Sequence, residues 1–125
     1  MSQADDLQRR ADAFADASVR FVQGLPHTSV AQRIGGQYQD AATSVAANYR
    51  AARHGRSPDD FTSKMGITSE EADESVFWLQ RLIHANISSD VPIEPLLDEA
   101  RQLAKIFGAS YRTAKLHQQR RRRRR

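Results

Sequence analysis

The sequence predicts an all-α fold, an antiparallel up-down-up-down four-helix bundle, on three observations. Apolar residues recur at helical spacing in four separate segments, breaker residues part those segments, and strand-like alternation is absent. Short connections between consecutive helices favour packing of sequence neighbours side by side. At 125 residues the chain has the length of one domain.

The first segment spans about Gln3 to Gln23. Leu7, Ala11, Phe14, Ser18, Phe21 and Leu25 alternate steps of four and three, the seam of a bundle helix, until Gly24 and Pro26 end it. The second runs from Thr28 or Ser29 to Arg53. Gly35, Gly36, Ala41, Ala42, Ser44, Ala46, Ala47, Ala51 and Ala52 put small residues on every side, which predicts covering on more than one face, by another subunit.

The third segment opens on Ser57-Pro58-Asp59-Asp60: a capping serine, a proline at the first helical position and acids over the positive end of the dipole. Phe61, Met65, Ala72, Val76, Leu79 and Ile83 continue its core stripe to about Asn86. The apolar phase is kept across Gly66, so one helix is expected, although Thr68 with Glu71 resembles a second capping box. Phe77, Trp78 and Leu82 widen the arc. The fourth helix begins between Pro92 and Pro95, with Leu96, Leu97, Ala100, Leu103, Ala104, Phe107, Tyr111 and Ala114 on one face.

Charge is unevenly placed. Lys plus Arg number 19 and Asp plus Glu 15, a net of +4, but Arg120 to Arg125 form one terminal run. The basic character therefore belongs to a tail. The expected division is a bundle domain over 1–118 and a disordered poly-Arg tail over 119–125. Without cysteine, disulfides, Cys-based zinc sites and thiol nucleophiles are excluded. The polar N-terminus and the lack of any apolar run near the roughly 20 residues of a membrane span predict a cytoplasmic protein.

The stretch Ser44-Val-Ala-Ala-Asn48-Tyr49-Arg50-Ala51-Ala52, then Gly55-Arg56-Ser57, Asp60-Phe61, Lys64-Met65-Gly66-Ile67, Glu70-Glu71-Ala72-Asp73-Glu74 and Phe77-Trp78-Leu79 resembles a known family. It is the bacterial four-helix-bundle family of proteins encoded in intervening sequences of 23S ribosomal RNA genes. The likeness covers roughly residues 10 to 115. It implies a left-handed bundle assembled into a homopentameric ring. A related branch, the accessory variability protein of diversity-generating retroelements, binds nucleic acid and a reverse transcriptase through a basic surface. This chain departs from the common pattern at Tyr49-Arg50-Ala51-Ala52, where alanine replaces a glutamate and a basic residue is added. A role tied to that acid does not carry across.

Candidate chemistry is sparse. Di-metal bundles need Glu-x-x-His pairs on facing helices, and none occurs; His27, His54, His84 and His117 lie on four segments without ligand spacing. Hydrolase and nucleotide motifs are missing, and Gly35-Gly36 reads as close packing. Glu70, Glu71, Asp73 and Glu74 spread around one helix, which leaves most of them solvated and not tuned for acid–base work.

The basic positions carry more. Arg50 and Arg53 share one helix side and Arg56 follows in the turn, a set suited to phosphates; the alternative is pairing with acids of the third helix. Arg112, Lys115, Arg120, Arg121, Arg122, Arg123, Arg124 and Arg125 complete the expected contacts. Phe14, Phe21, Phe61 and Phe107 fall on core stripes, so no stacking platform for single strands is expected. The sequence thus predicts a non-enzymatic oligomer, without cofactor or metal, that binds structured RNA, DNA or a nucleic-acid enzyme such as a reverse transcriptase. The competing expectation is an oligomeric scaffold, in which Arg50 to Arg56 make intersubunit ion pairs.

Overall fold

The computed structural model describes residues 1–124 and contains four helices, α1 (Gln3–Gln23), α2 (Ser29–Arg53), α3 (Pro58–His84) and α4 (Glu94–Arg123). Among the described residues there is no strand. No helix is long and apolar enough to cross a membrane.

The helix starts follow from local chemistry. Ser2 and Asp5 form a reciprocal capping box on α1, Thr28 caps the Ala31 amide on α2, and Ser57 caps Asp60 ahead of Pro58 on α3. α4 has no side-chain cap, only a proline in its first turn. Two residues past the end of α3 the chain turns at Asn86, the one described non-glycine residue in the left-handed region, at φ 56°. The Asn86 and Ile87 amides donate back to the Ile83 and Leu82 carbonyls, which satisfies the last turn.

α2 packs on α1 and α3, α3 on α4, and α4 only sparingly on α1. That thin seam is clasped by Arg10, whose guanidinium makes paired bonds of 2.8 and 2.7 Å to Glu99. At one end of the bundle the start of α1 meets the end of α2 (Asp5 with Arg53), and the start of α3 meets the end of α4 (Asp59 with Gln118 and Arg121). At the other end the loop before α4 ties to α1: Ser89 Oγ donates to the Phe21 carbonyl at 2.6 Å. A Cβ at Gly24 would stand 2.5 Å from that hydroxyl, so the approach requires glycine.

The core is built around two tyrosines on α2. Tyr38 lies edge-on to Phe14 and Phe21 and bonds Ser18 at 2.6 Å; Tyr49 packs on Phe107 of α4 at 5.0 Å between ring centres. Burial pushes the Tyr38 hydroxyl well above its ordinary pKa, so it stays a neutral hydrogen-bonding group. The predicted faces of α1 and α4 hold, with Leu7, Ala104 and Tyr111 only half-buried.

α3 differs from expectation. Its buried face is Thr62, Met65, Thr68, Ala72, Ser75, Leu79 and Leu82, whereas Phe61, Phe77 and Ile83 are exposed and Val76 is half-buried. The reason is hydroxyl self-satisfaction. Thr62, Thr68 and Ser75 each donate to the carbonyl four residues back at 2.9 Å, so they enter the core as small groups. Thr68 is therefore no cap, and the helix runs unbroken through Gly66. That glycine makes room for Tyr111, whose Cε1 lies 3.0 Å from where a Cβ would stand.

The terminal run also corrects the expected disorder. Arg120 to Arg123 extend α4 as its last turn, because arginine is a good helix former, no breaker intervenes, and cations suit the negative end of the dipole. Asp59 anchors this turn through Gln118 at 3.2 Å and Arg121 at 3.3 Å. The expected boundary at residue 119 is not a change of structure. Arg125 lies outside the described residues.

Two stability outcomes follow from the packing. Replacing Ser18 by Ala strands the buried Tyr38 hydroxyl and costs about 1–3 kcal/mol in urea unfolding, and adding Tyr38→Phe recovers most of it. At Gly36 a methyl group would meet nothing within 4 Å, so Gly36→Ala raises stability by up to about 1 kcal/mol. Gly35→Ala lacks that gain, because Leu25 Cδ1 stands 2.6 Å from the position of the new carbon and must move.

Candidate nucleic-acid interface

Helix polarity explains the charges at the α2/α4 end of the bundle. Acids sit in the first turns of α1 and α3, and bases in the last turns of α2 and α4, each complementing its own dipole. Because these turns are neighbours, they also pair. Arg53 reaches Asp5 at 2.6 Å and Arg121 reaches Asp59 at 3.3 Å, while within α3 Lys64 holds Asp60 at 2.9 Å.

The three carboxyls are held below the usual carboxylate range. Asp5 is lowered first by Arg53 and then by Ser2; Asp59 by Gln118 and then by Arg121; Asp60 by Lys64 and then by the Arg56 amide. All three are partly exposed to solvent, which screens these pairs and leaves each a weak contributor to stability.

The predicted contacts divide on this geometry. Arg53 is committed to Asp5 and lies 5.9 Å over the Tyr49 ring, so its acid partner is on α1 and not on the third helix as anticipated. Arg50 and Arg56 are exposed and take part in no ion pair among the described residues. Arg120, Arg122, Arg123 and Arg124 likewise make no such pair, while Arg121 is partly spent on Asp59. Arg125 falls outside the described residues. The end therefore presents more cations than its acids neutralise.

Arg112 and Lys115 lie elsewhere, along the seam between α3 and α4. Arg112 lines a hollow with Asp73, Val76, Arg101 and Lys105. Lys115 lines a second with Gly66, Ile67, Glu70, Tyr111 and Arg122. Sequence reasoning missed Arg101, Lys105 and the partial exposure of Tyr111. Applying the helical period to the cations of α4, as it is applied to the apolar residues, finds the first two at once.

Among the described residues no three His, Asp or Glu side chains gather as a metal site. The geometry offers guanidinium and ammonium donors to anions. Glu71 is raised by burial, and by Glu74, Glu70 and Asp40, on the α3 surface.

A protein-family model described as "23S rRNA-intervening sequence protein" matches residues 5–109. The chain belongs to this family. Arg50, Arg53, Arg56, Arg101 and Lys105 fall within the matched span, and the arginine run lies after it. Among solved structures, a protein of unknown function from the S23 ribosomal protein family of Bacteroides thetaiotaomicron VPI-5482 is similar, with a TM-score of 0.75 and 22% identity. The match covers 89% of this chain and 99% of that one, and it supports the four-helix fold. Comparison with curated proteins finds no match.

The carboxylates give a pH outcome with a defined sign. Their pKa values are lower folded than unfolded, so the contribution is present above about pH 3.9 and is lost as pH falls through the depressed values. Backbone NMR shifts of Arg121 to Arg124 are expected to move toward coil on acidification through that window. Asp59→Asn produces the same loss of helical shift at neutral pH.

Proposed function

We propose that this protein is a non-enzymatic, homo-oligomeric helical bundle that binds nucleic acid through its arginine-rich end. The observation that carries the reading is the surplus of cations there. Arg53, Arg121 and Lys64 occupy the three acids, and Arg50, Arg56, Arg120, Arg122, Arg123 and Arg124 remain directed to solvent without an acid partner among the described residues. Exposed arginines held on ordered helix ends are suited to phosphate oxygens, because the planar fork donates in pairs.

The quaternary proposal is an antiparallel up-down-up-down bundle in a pentameric ring. Adjacent helix termini at each end support the first part, and the family resemblance supports the second. Five copies of the arginine-rich end then act together, and linked weak contacts multiply avidity. The likeness to retroelement accessory proteins adds a reverse transcriptase to the proposed partners, alongside structured RNA or DNA. The cytoplasm is the proposed compartment.

The scaffold reading draws on a different observation, the exposed Phe61, Ile67, Phe77, Ile83 and Leu116, which suit protein contacts.

Binding of structured RNA and duplex DNA at two salt concentrations separates the readings. Compared with the full chain, one ending at Gln119 is expected to bind more weakly and with a shallower salt dependence, by about 0.9 in slope per lost duplex phosphate contact. The residual binding is expected to fall further on Arg50→Glu with Arg56→Glu. These positions are better probes than Arg53, whose loss also strands Asp5. If all binding vanishes with the tail and the α2 changes do nothing, the bundle is a scaffold.

A further inference from the structure

The cations of α4 continue well beyond the arginine-rich end. Arg101, Lys105, Arg112, Lys115 and Arg122 recur at helical spacing on one side of the helix. From first to last they span about 30 Å at 1.5 Å per residue. All five line the two hollows that follow one another along the α3/α4 seam. None joins an ion pair among the described residues. Lys115 has only Gln118 as a partner, at 3.4 Å.

The opposite wall, contributed by α3, is of another character. Asp73 stands in the first hollow, and Gly66, Ile67 and Glu70 stand in the second. Ile67 is 41% exposed, a large apolar side chain facing water. Tyr111 also lines the second hollow, half-buried, its ring resting against the Gly66 backbone. The trench therefore has a cationic wall, an acceptor-bearing and apolar wall, and an aromatic ring in its second hollow.

We propose that this trench binds a single-stranded segment of nucleic acid, with phosphates along the α4 cations and bases turned toward Tyr111, Ile67, Glu70 and Asp73. The proposal rests on the nucleic-acid reading above and deepens it by adding a second site of different selectivity. A single strand has one line of phosphates and exposed base edges, which matches one basic wall facing a wall of apolar groups and acceptors. A duplex laid over the seam brings its second phosphate line toward Glu70 and Asp73, where like charges repel. The mixed walls thus select against duplex, whereas the arginine-rich end does not discriminate.

The test uses the full chain, a labelled fifteen-nucleotide oligo-uridine and an RNA duplex of the same length. In Arg101→Gln with Lys105→Gln, both exposed positions, oligo-uridine affinity at moderate salt is expected to drop tenfold or more. The magnitude of its salt slope falls by about 1.4, at roughly 0.7 per single-strand contact. Duplex affinity changes less than twofold. Tyr111→Leu, which keeps an apolar group on Gly66, lowers oligo-uridine affinity at least fivefold with its salt slope unchanged.

Oligo-uridine binding that is unaffected by the double change, or duplex binding that falls equally, overturns the trench proposal. If the wild-type chain binds duplex but not oligo-uridine, the trench falls and the arginine-rich end stands. If it binds neither, both fall, and the seam is left for a protein partner.

Discussion

The arrangement of this bundle depends on the side chains of α2. Eleven of its 25 residues are alanine, glycine or serine, so α1 and α3 approach its backbone closely, and two tyrosines supply the volume the small residues leave unfilled. Tyr38 fills the space toward α1, where Phe14 and Phe21 meet it edge-on, and Tyr49 reaches across to Phe107 of α4. Interiors are packed to crystal density, so a helix of small residues needs such fillers at fixed heights. Those heights set the register of the neighbours. Through α3 they also set the α3/α4 seam, where Gly66 receives Tyr111 and the acids and cations face each other.

The same register decides which charges meet at the helix ends. Helix dipoles call for acids at N-termini and bases at C-termini, and neighbouring ends of opposite polarity convert that rule into cross-helix pairs. Arg53 with Asp5 and Arg121 with Asp59 are the result. Each acid uses about one base. The arginines beyond that number have no acid partner among the described residues, and this surplus makes the end a candidate for binding. Surface pairs of this kind hold little free energy, so their main effect is to fix where the remaining guanidinium groups stand.

Much of the fold was legible in the sequence. Ser57-Pro58, Thr28 and the Gly24-Pro26 break marked helix limits that the structure keeps within a residue or so. The faces of α1 and α4 were readable from apolar period alone. The α3 face was not, because Thr62, Thr68 and Ser75 count as polar in a pattern but behave as small core residues once bonded to their own helix. The small side chains of α2 were visible, whereas the filling role of Tyr38 and Tyr49 needed three-dimensional neighbours. At the candidate site the sequence showed the arginines but not their obligations. That Arg53 belongs to Asp5, some 48 residues away, is a tertiary fact. The arginine run looked like a solvated tail by composition, yet it continues a helix already propagating, where adding each residue is cheap.

The chain combines membership of the 23S rRNA-intervening sequence protein family with a four-helix core and a cation surplus at one end, and the proposed contact groups sit at helix termini. The most direct measurement is a map of photo-crosslinks between the full chain and a 4-thiouridine-substituted structured RNA, read by peptide mass spectrometry. The account predicts crosslinked peptides from the end of α2 with the turn to Arg56 and from α4 beyond Tyr111, and none from the middle of α1. Crosslinks centred on α1, or no crosslinks at RNA concentrations that saturate other cationic proteins, would contradict it.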